Sequence, residues 1–172
     1  LADAQYQTIF NNPDKHLLNR ALAGVYPPGS TINPFVATAA LEAGVIGEQT
    51  TLVTPPELKI GEWIFPDWKA HGSANVKKAI AESNNVFFYI VGGGYGNIGG
   101  LGSERLGNYL RKFWFDGKSG IDLPGEKGGL VPTPEWKVKY KGESWYVGDT
   151  YHMAIGQGDI LVTPMEIAAA TS

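Results

Sequence analysis

Tyr26-Pro27-Pro28-Gly29-Ser30-Thr31-Ile32-Asn33-Pro34-Phe35-Val36 delivers a serine to the mouth of an apolar helix. Ile32, Phe35, Val36, Ala39 and Ala40 fall at i, i+3, i+4, i+7 and i+8, one buried helical stripe. Pro34 is tolerable only in the first turn, which fixes the start near Ser30, and Gly44 ends a helix over 31–43. At that start the Ser30 hydroxyl lies near unpaired backbone amides and the positive end of the helix dipole. Two readings stay open on the local pattern. Ser30 is an N-cap, as serines at such positions usually are, or a nucleophile whose acyl-enzyme oxyanion needs those donors.

Outward from this helix, Val76, Ala79 and Ile80 share a face of a second helix over 75–81. Ser83-Asn84-Asn85 interrupts, because these side chains compete for backbone hydrogen bonds. A third helix, 86–91, is apolar all round and should be central. Gly92-Gly93-Gly94 breaks the pattern, and Leu106, Leu110 and Phe113 resume it over 101–113. Residues 116–150 read as loop, with a short turn at 134–137. Helices over about 149–155 and 164–171 follow, the last started by Thr163-Pro164-Met165-Glu166, a capping box with Pro at the first helical position. Strand patterns are weak, at 58–63 and 137–140. The expectation is a mainly α domain with long loops.

The chain has 172 residues, 43% hydrophobic and 12% aromatic, enough for one packed core and too apolar for disorder. A net charge of −3 without a basic cluster argues against a nucleic-acid surface. The absence of cysteine excludes disulfides and thiolate metal sites. No apolar run reaches the ~18 residues of a membrane helix, and no signal peptide is visible. Leu1 opens without an initiator methionine, and the helix begun at Thr163 runs to Ser172, so the chain is expected to be cut at both ends.

Three stretches in one order carry a resemblance. They are Leu18-Asn19-Arg20-Ala21 with Tyr26–Thr31 and Pro34; His71-Gly72, Lys78-Ala79 and Ser83-Asn84-Asn85-Val86-Phe87-Phe88-Tyr89; and Gly120-Ile121-Asp122-Leu123-Pro124-Gly125-Glu126 with Gly148-Asp149-Thr150, Ala154-Ile155-Gly156-Gln157-Gly158 and Thr163-Pro164. Together they resemble class B penicillin-binding proteins, especially the elongation-type group called penicillin-binding protein 2. The resemblance implies residues 1–172 as a partial transpeptidase domain: the helical part of the α/β penicillin-binding protein and serine β-lactamase-like fold, with most of the catalytic sheet missing. It implies a D,D-transpeptidase of peptidoglycan cross-linking that uses a serine acyl-enzyme and no cofactor or metal. The implied partners are the stem peptide, β-lactams and cell-wall elongation proteins. The parent would be membrane-anchored on the extracytoplasmic side, acting in cell shape. An apolar face left uncovered would drive self-association.

The family carries Ser-x-x-Lys, Ser-x-Asn and Lys-Thr/Ser-Gly motifs. Ser30 matches the nucleophile; Ser83 and Asn85 match the middle motif, whose serine relays protons and whose amide holds the acyl chain. The first-motif lysine falls at position 33, where this chain has Asn33. A carboxamide has no useful basicity, and losing a general base costs ~10²–10⁴ in rate. Asn33 is still expected to donate a hydrogen bond toward Ser30. Lys118-Ser119-Gly120 spells the third motif, but it directly precedes Ile121–Glu126, where the family has a structural loop. The catalytic strand is expected further along the chain. This chain is therefore expected to be inactive as an enzyme, with a non-catalytic binding or scaffold module as the alternative.

Weaker signals remain. Asp67 and His71 stand four apart, a helical metal-ligand spacing without a visible third ligand. A Ser30–His152–Asp triad lacks the Gly-x-Ser-x-Gly elbow. Trp63, Trp68, Trp114, Trp136 and Trp145 raise a glycan-binding face, although aromatics on such a scaffold are more often core or rim.

Overall fold

The computed structural model describes residues 3–172. Helix outweighs strand, 44% against 12%, as the sequence pattern leads one to expect. In chain order the elements are α1 (Asp3–Phe10), α2 (Arg20–Ala23), a 3-10 turn (Gly29–Ile32), α3 (Asn33–Glu42), β1 (Leu52–Thr54), β2 (Glu57–Ile60), β3 (Trp63–Pro66), β4 (Gly72–Ala74), α4 (Val76–Ala81), α5 (Asn85–Gly93), α6 (Gly102–Lys112), α7 (Pro134–Lys141), α8 (Val147–Ala154) and α9 (Pro164–Ala170). The strands make two separate two-stranded antiparallel ribbons, β1 with β4 and β2 with β3.

The centre of the core is α5. Val86, Phe87, Phe88, Tyr89, Ile90 and Val91 are all buried, as an all-round apolar helix must be. It packs against α3, α6 and α8. Gly92 and Gly93 do not break this helix but extend it. A Cβ on Gly92 would sit 2.5 Å from the Ala154 side chain, and one on Gly93 would sit 2.4 Å from the Tyr151 ring. Their glycines permit the close approach of α8, and only Gly94, at φ +86°, ends the helix.

Four sequence expectations need correction. The helix expected over 31–43 begins at Asn33, because the turn through Ser30 is wound as a 3-10 helix. Residues 58–63 are not one strand: Gly61, at φ +58°, turns the chain between β2 and β3. Residues 137–140 are not a strand and 134–137 is not an isolated turn, since both lie within α7. Thr133 caps that helix at the Trp136 N–H, and Gly142 closes it at φ +71°. Strands β1 and β4, and helices α1 and α2, had no signal in the pattern.

Candidate active site

The Ser30 turn is fastened from behind by backbone alone. Tyr26 and Val162 exchange two hydrogen bonds at 2.9 and 2.8 Å, and the Gly29 N–H donates to the Gly156 carbonyl at 2.8 Å. A Cβ on Gly156 would lie 2.2 Å from the Gly29 oxygen, so the family-like Gly156-Gln157-Gly158 stretch serves to let this loop touch the serine turn. Ser30 itself is exposed and caps nothing: no side-chain cap is formed at either the turn or α3.

Opposite Ser30, α4 stops and α5 starts within three residues. The Ser83 and Asn84 N–H groups close α4 on the Ile80 and Ala79 carbonyls. The buried Asn84 accepts from the Phe87 N–H at 2.8 Å and so caps α5. Its Nδ2 donates to Thr54 Oγ1, which donates to the Gly72 carbonyl and ties the loop to the β1–β4 ribbon. Ser83 adopts φ +50°, a left-handed conformation costing a residue with a Cβ ~1–2 kcal/mol. Thus held, Ser83 Oγ donates to Ser30 Oγ at 2.8 Å. Two motif serines 53 residues apart in sequence meet at one hydrogen bond.

Asn33 lies one turn along from Ser30 and is 2% exposed. The bond expected from Asn33 to Ser30 is not formed. Ser30 Oγ is engaged by Ser83, while Asn33 Oδ1 is buried without a partner among the described residues. Asn85 is half-buried at the first position of α5, and its side chain makes no hydrogen bond among the described residues.

Behind Ser83 stands a polar cluster that sequence reading recognised only as a ligand pair. Asp67 and His71 do not share a helix; they lie in the turn between β3 and β4. Asp67 Oδ2 accepts from the Val86 N–H at 2.9 Å, helping to start α5, and His71 Nδ1 meets Glu82 Oε2 at 2.6 Å. Both side chains thus serve the Ser83 loop, and no group of three such ligands able to hold a metal occurs among the described residues. The hydrogen bond to His71 holds the Glu82 carboxyl below its ordinary range, helped by the charges of Lys69 and Lys78. Burial, reinforced by the Asp67 charge, pushes the Tyr89 phenol up to about 12.

Of the remaining candidates, Trp68 reaches this corner, where its indole N–H donates to the Glu82 carbonyl at 3.3 Å and its ring meets His71 edge-on at 5.3 Å. His152 packs on the Phe65 ring at 5.9 Å and makes no bond to Ser30, so no triad forms. Lys118-Ser119-Gly120 is irregular chain whose Ser119 and Gly120 amides, with the Ser119 hydroxyl, all bind the Glu126 carboxylate. That loop is structural. Trp63, Trp68 and Trp114 are exposed, while Trp136 and Trp145 are half-buried.

The penicillin binding protein transpeptidase domain model matches residues 2–172. The chain is 41% identical over 174 residues to the peptidoglycan D,D-transpeptidase MrdA of Escherichia coli K12, covering 99% of this chain and 26% of that protein. The chain thus spans about a quarter of the length of this curated relative. Among solved structures, penicillin-binding protein 2 from Helicobacter pylori superposes with a TM-score of 0.89 at 40% identity, over 99% of this chain and 32% of that one. Pseudomonas aeruginosa penicillin-binding protein 2, in complex with WCK 5153, gives a TM-score of 0.87 at 32% identity, over 99% of this chain and 38% of that one. With sequence, fold and motif order in agreement, the chain belongs to the penicillin-binding protein transpeptidase family, on its penicillin-binding protein 2 branch.

Proposed function

We propose that this chain carries the nucleophile side of a peptidoglycan D,D-transpeptidase site, with Ser30 as the acylated residue. The observation that carries the reading is the 2.8 Å contact between the Ser30 and Ser83 hydroxyls at the meeting of two helix starts. In the reaction, Ser30 Oγ attacks the carbonyl carbon of the D-Ala-D-Ala peptide bond or of a β-lactam ring. Once both hydroxyls rotate so that Ser83 accepts, the Ser30 proton passes to Ser83 Oγ as the Ser83 proton goes to the departing nitrogen, the C–N bond breaks, and an ester remains on Ser30. Asn85, at the mouth of α5 with an unengaged amide, is suited to hold the acyl chain. An acceptor amine then displaces Ser30.

We further propose that these 172 residues alone do not turn over. Asn33 offers no base where the family has lysine, and none of the strands among the described residues carries a Lys-Thr/Ser-Gly motif to grip the substrate carboxylate. The orphaned Asn33 carbonyl also favours a second reading, a binding or scaffold module that kept the fold and lost the chemistry. Intact mass spectrometry after incubation with a penicillin tests the first reading. No stoichiometric adduct is expected, and Asn33→Lys alone should restore little. A full adduct that disappears in Ser30→Ala would overturn inactivity and show that a group other than residue 33 serves as the base. Restoration by Asn33→Lys within the longer parent would argue against the scaffold reading.

Cell-wall elongation proteins are the proposed partners, since the Helicobacter pylori relative is solved in a complex with MreC. The extracytoplasmic, membrane-anchored setting of the parent is likewise proposed; no helix among the described residues is long and apolar enough to cross a membrane.

A further inference from the structure

The β2–β3 hairpin and the α7–α8 segment line a cleft of about 620 Å³. That volume lies within the ~300–1,000 Å³ of sites that hold small ligands. Its floor is rigid and apolar: Phe65 is 8% exposed and packs edge-on against Tyr151 at 4.9 Å. Its rim is aromatic and wet, with Trp63 76% and Tyr146 67% exposed. The Trp63 indole N–H and both ring nitrogens of His152 have no hydrogen-bond partner among the described residues.

The charge in the wall is already spent. Lys137 Nζ holds both Asp149 carboxylate oxygens at 2.8 Å and lies 3.6 Å from Glu143. Asp149 also accepts from the Tyr146 N–H. An anionic ligand finds no unpaired lysine in this wall, and a cationic one finds no unpaired carboxylate. A purely apolar ligand would cover the His152 ring nitrogens without pairing them, which is unfavourable. A ligand with an apolar C–H face and neutral hydroxyls at its edge suits this cleft, because an aromatic ring takes the face while the imidazole takes the edge.

We propose that this cleft binds a neutral pyranose of a glycan strand, stacked on Trp63 and hydrogen-bonded to His152. The choice of an N-acetylated sugar rests on the peptidoglycan reading above, whereas the stacking argument does not. The cleft also has a route to the serine. His152 lies on α8 one turn before Gly156, whose carbonyl receives the Gly29 N–H. A glycan held here would flank the site at which its own peptide is cross-linked.

Calorimetric titration of this chain with N-acetylglucosamine tetrasaccharide is the test, with cellotetraose, a stem pentapeptide and sedimentation of the protein alone as further arms. Saturable binding of the acetylated tetrasaccharide is expected, weakened about tenfold by Trp63→Ala and several-fold by His152→Ala. Trp114→Ala, at an exposed tryptophan outside the cleft, should bind as the parent does. Because saccharide binding read by calorimetry involves no acylation, failure of the transpeptidase reading leaves this result intact. Absence of saturation, or unchanged binding in Trp63→Ala, would overturn the site. Trp63-dependent binding of the pentapeptide, or Trp63-dependent self-association, would also overturn it by assigning the cleft to another occupant. Equal affinity for cellotetraose would overturn the acetyl assignment.

Discussion

Two polar assemblies hold this molecule together, and they are satisfied very differently. Glu166, 1% exposed in α9, accepts the N–H groups of Asp116 at 3.0 Å, Gly117 at 3.2 Å, Gly129 at 2.8 Å and Thr163 at 2.6 Å. Asn33 is as deeply buried, yet its carbonyl oxygen has no partner among the described residues, and nearby Ser83 is held in a left-handed conformation. The first assembly spends a buried charge on fastening three loops. The second tolerates an unmet acceptor and backbone strain in the place where two motif serines must touch. Such concentration of strain and unmet polarity is characteristic of functional sites.

The largest effect should come from dismantling the satisfied assembly. Glu166→Ala leaves four backbone donors without their acceptor, and denaturant unfolding should show a loss of about 4 kcal/mol. Glu166→Gln, which keeps one carbonyl, should lose about half of that. A loss below about 1 kcal/mol in Glu166→Ala would show that water replaces the carboxylate and that the contrast with Asn33 is unreal.

Next is the joint between the Ser30 turn and α8. At φ +70° and 2.2 Å from the Gly29 oxygen, a side chain at Gly156 is opposed by both backbone conformation and contact. Gly156→Ala should cost about 2–3 kcal/mol and shift the amide resonances of Gly29 and Ser30. An unshifted spectrum would mean that the serine turn is not held from α8.

Improving the unsatisfied assembly should have a smaller and opposite effect. Asn33→Leu keeps the number and branching of the side-chain atoms and removes the orphaned acceptor, so stability should rise by about 1 kcal/mol. If it falls instead, Asn33 has a partner in solution, and the corner is better satisfied than the geometry implies.

The same contrast explains what could be read from sequence. Helix α5 was legible because its apolar run fixes burial without any partner. Glu166 was half legible: the bond to Thr163 is local, but the other donors lie 37 to 50 residues away. In α7, the alternation Lys137-Val138-Lys139-Tyr140 mimics a strand, yet Val138 and Tyr140 are exposed, and the cap residues Thr133 and Gly142 decide for helix. Strand β1 has only three residues, Leu52-Val53-Thr54, and depends on β4 for its pairing. At the site, the motif residues Ser30 and Ser83 could be named in advance. Thr54, Glu82 and the fastening role of Asp67 could not, because each acts through a partner that only the fold brings near.

The smallest expected effect concerns Glu82, the residue preceding Ser83. Its carboxyl is held below the ordinary value of 4.5, chiefly by the hydrogen bond from His71, with Lys69 and Lys78 adding charge attraction against the opposing cost of desolvation. A carboxyl with a depressed folded-state pKa favours folding above its unfolded value, and that contribution fades as pH falls through the folded value. Thermal unfolding of the wild type should therefore exceed that of Glu82→Gln by a constant margin above the unfolded value of 4.5, and the margin should close below it. Because Lys69 is 43% exposed and only 3.5 Å from Glu82, added salt should trim the margin without abolishing it, leaving the share due to His71. A margin that survives strong acid unchanged would mean that Glu82 supports the Ser83 loop by shape alone. A margin that vanishes in salt at neutral pH would assign it to Lys69 and leave His71 without a hold on the loop.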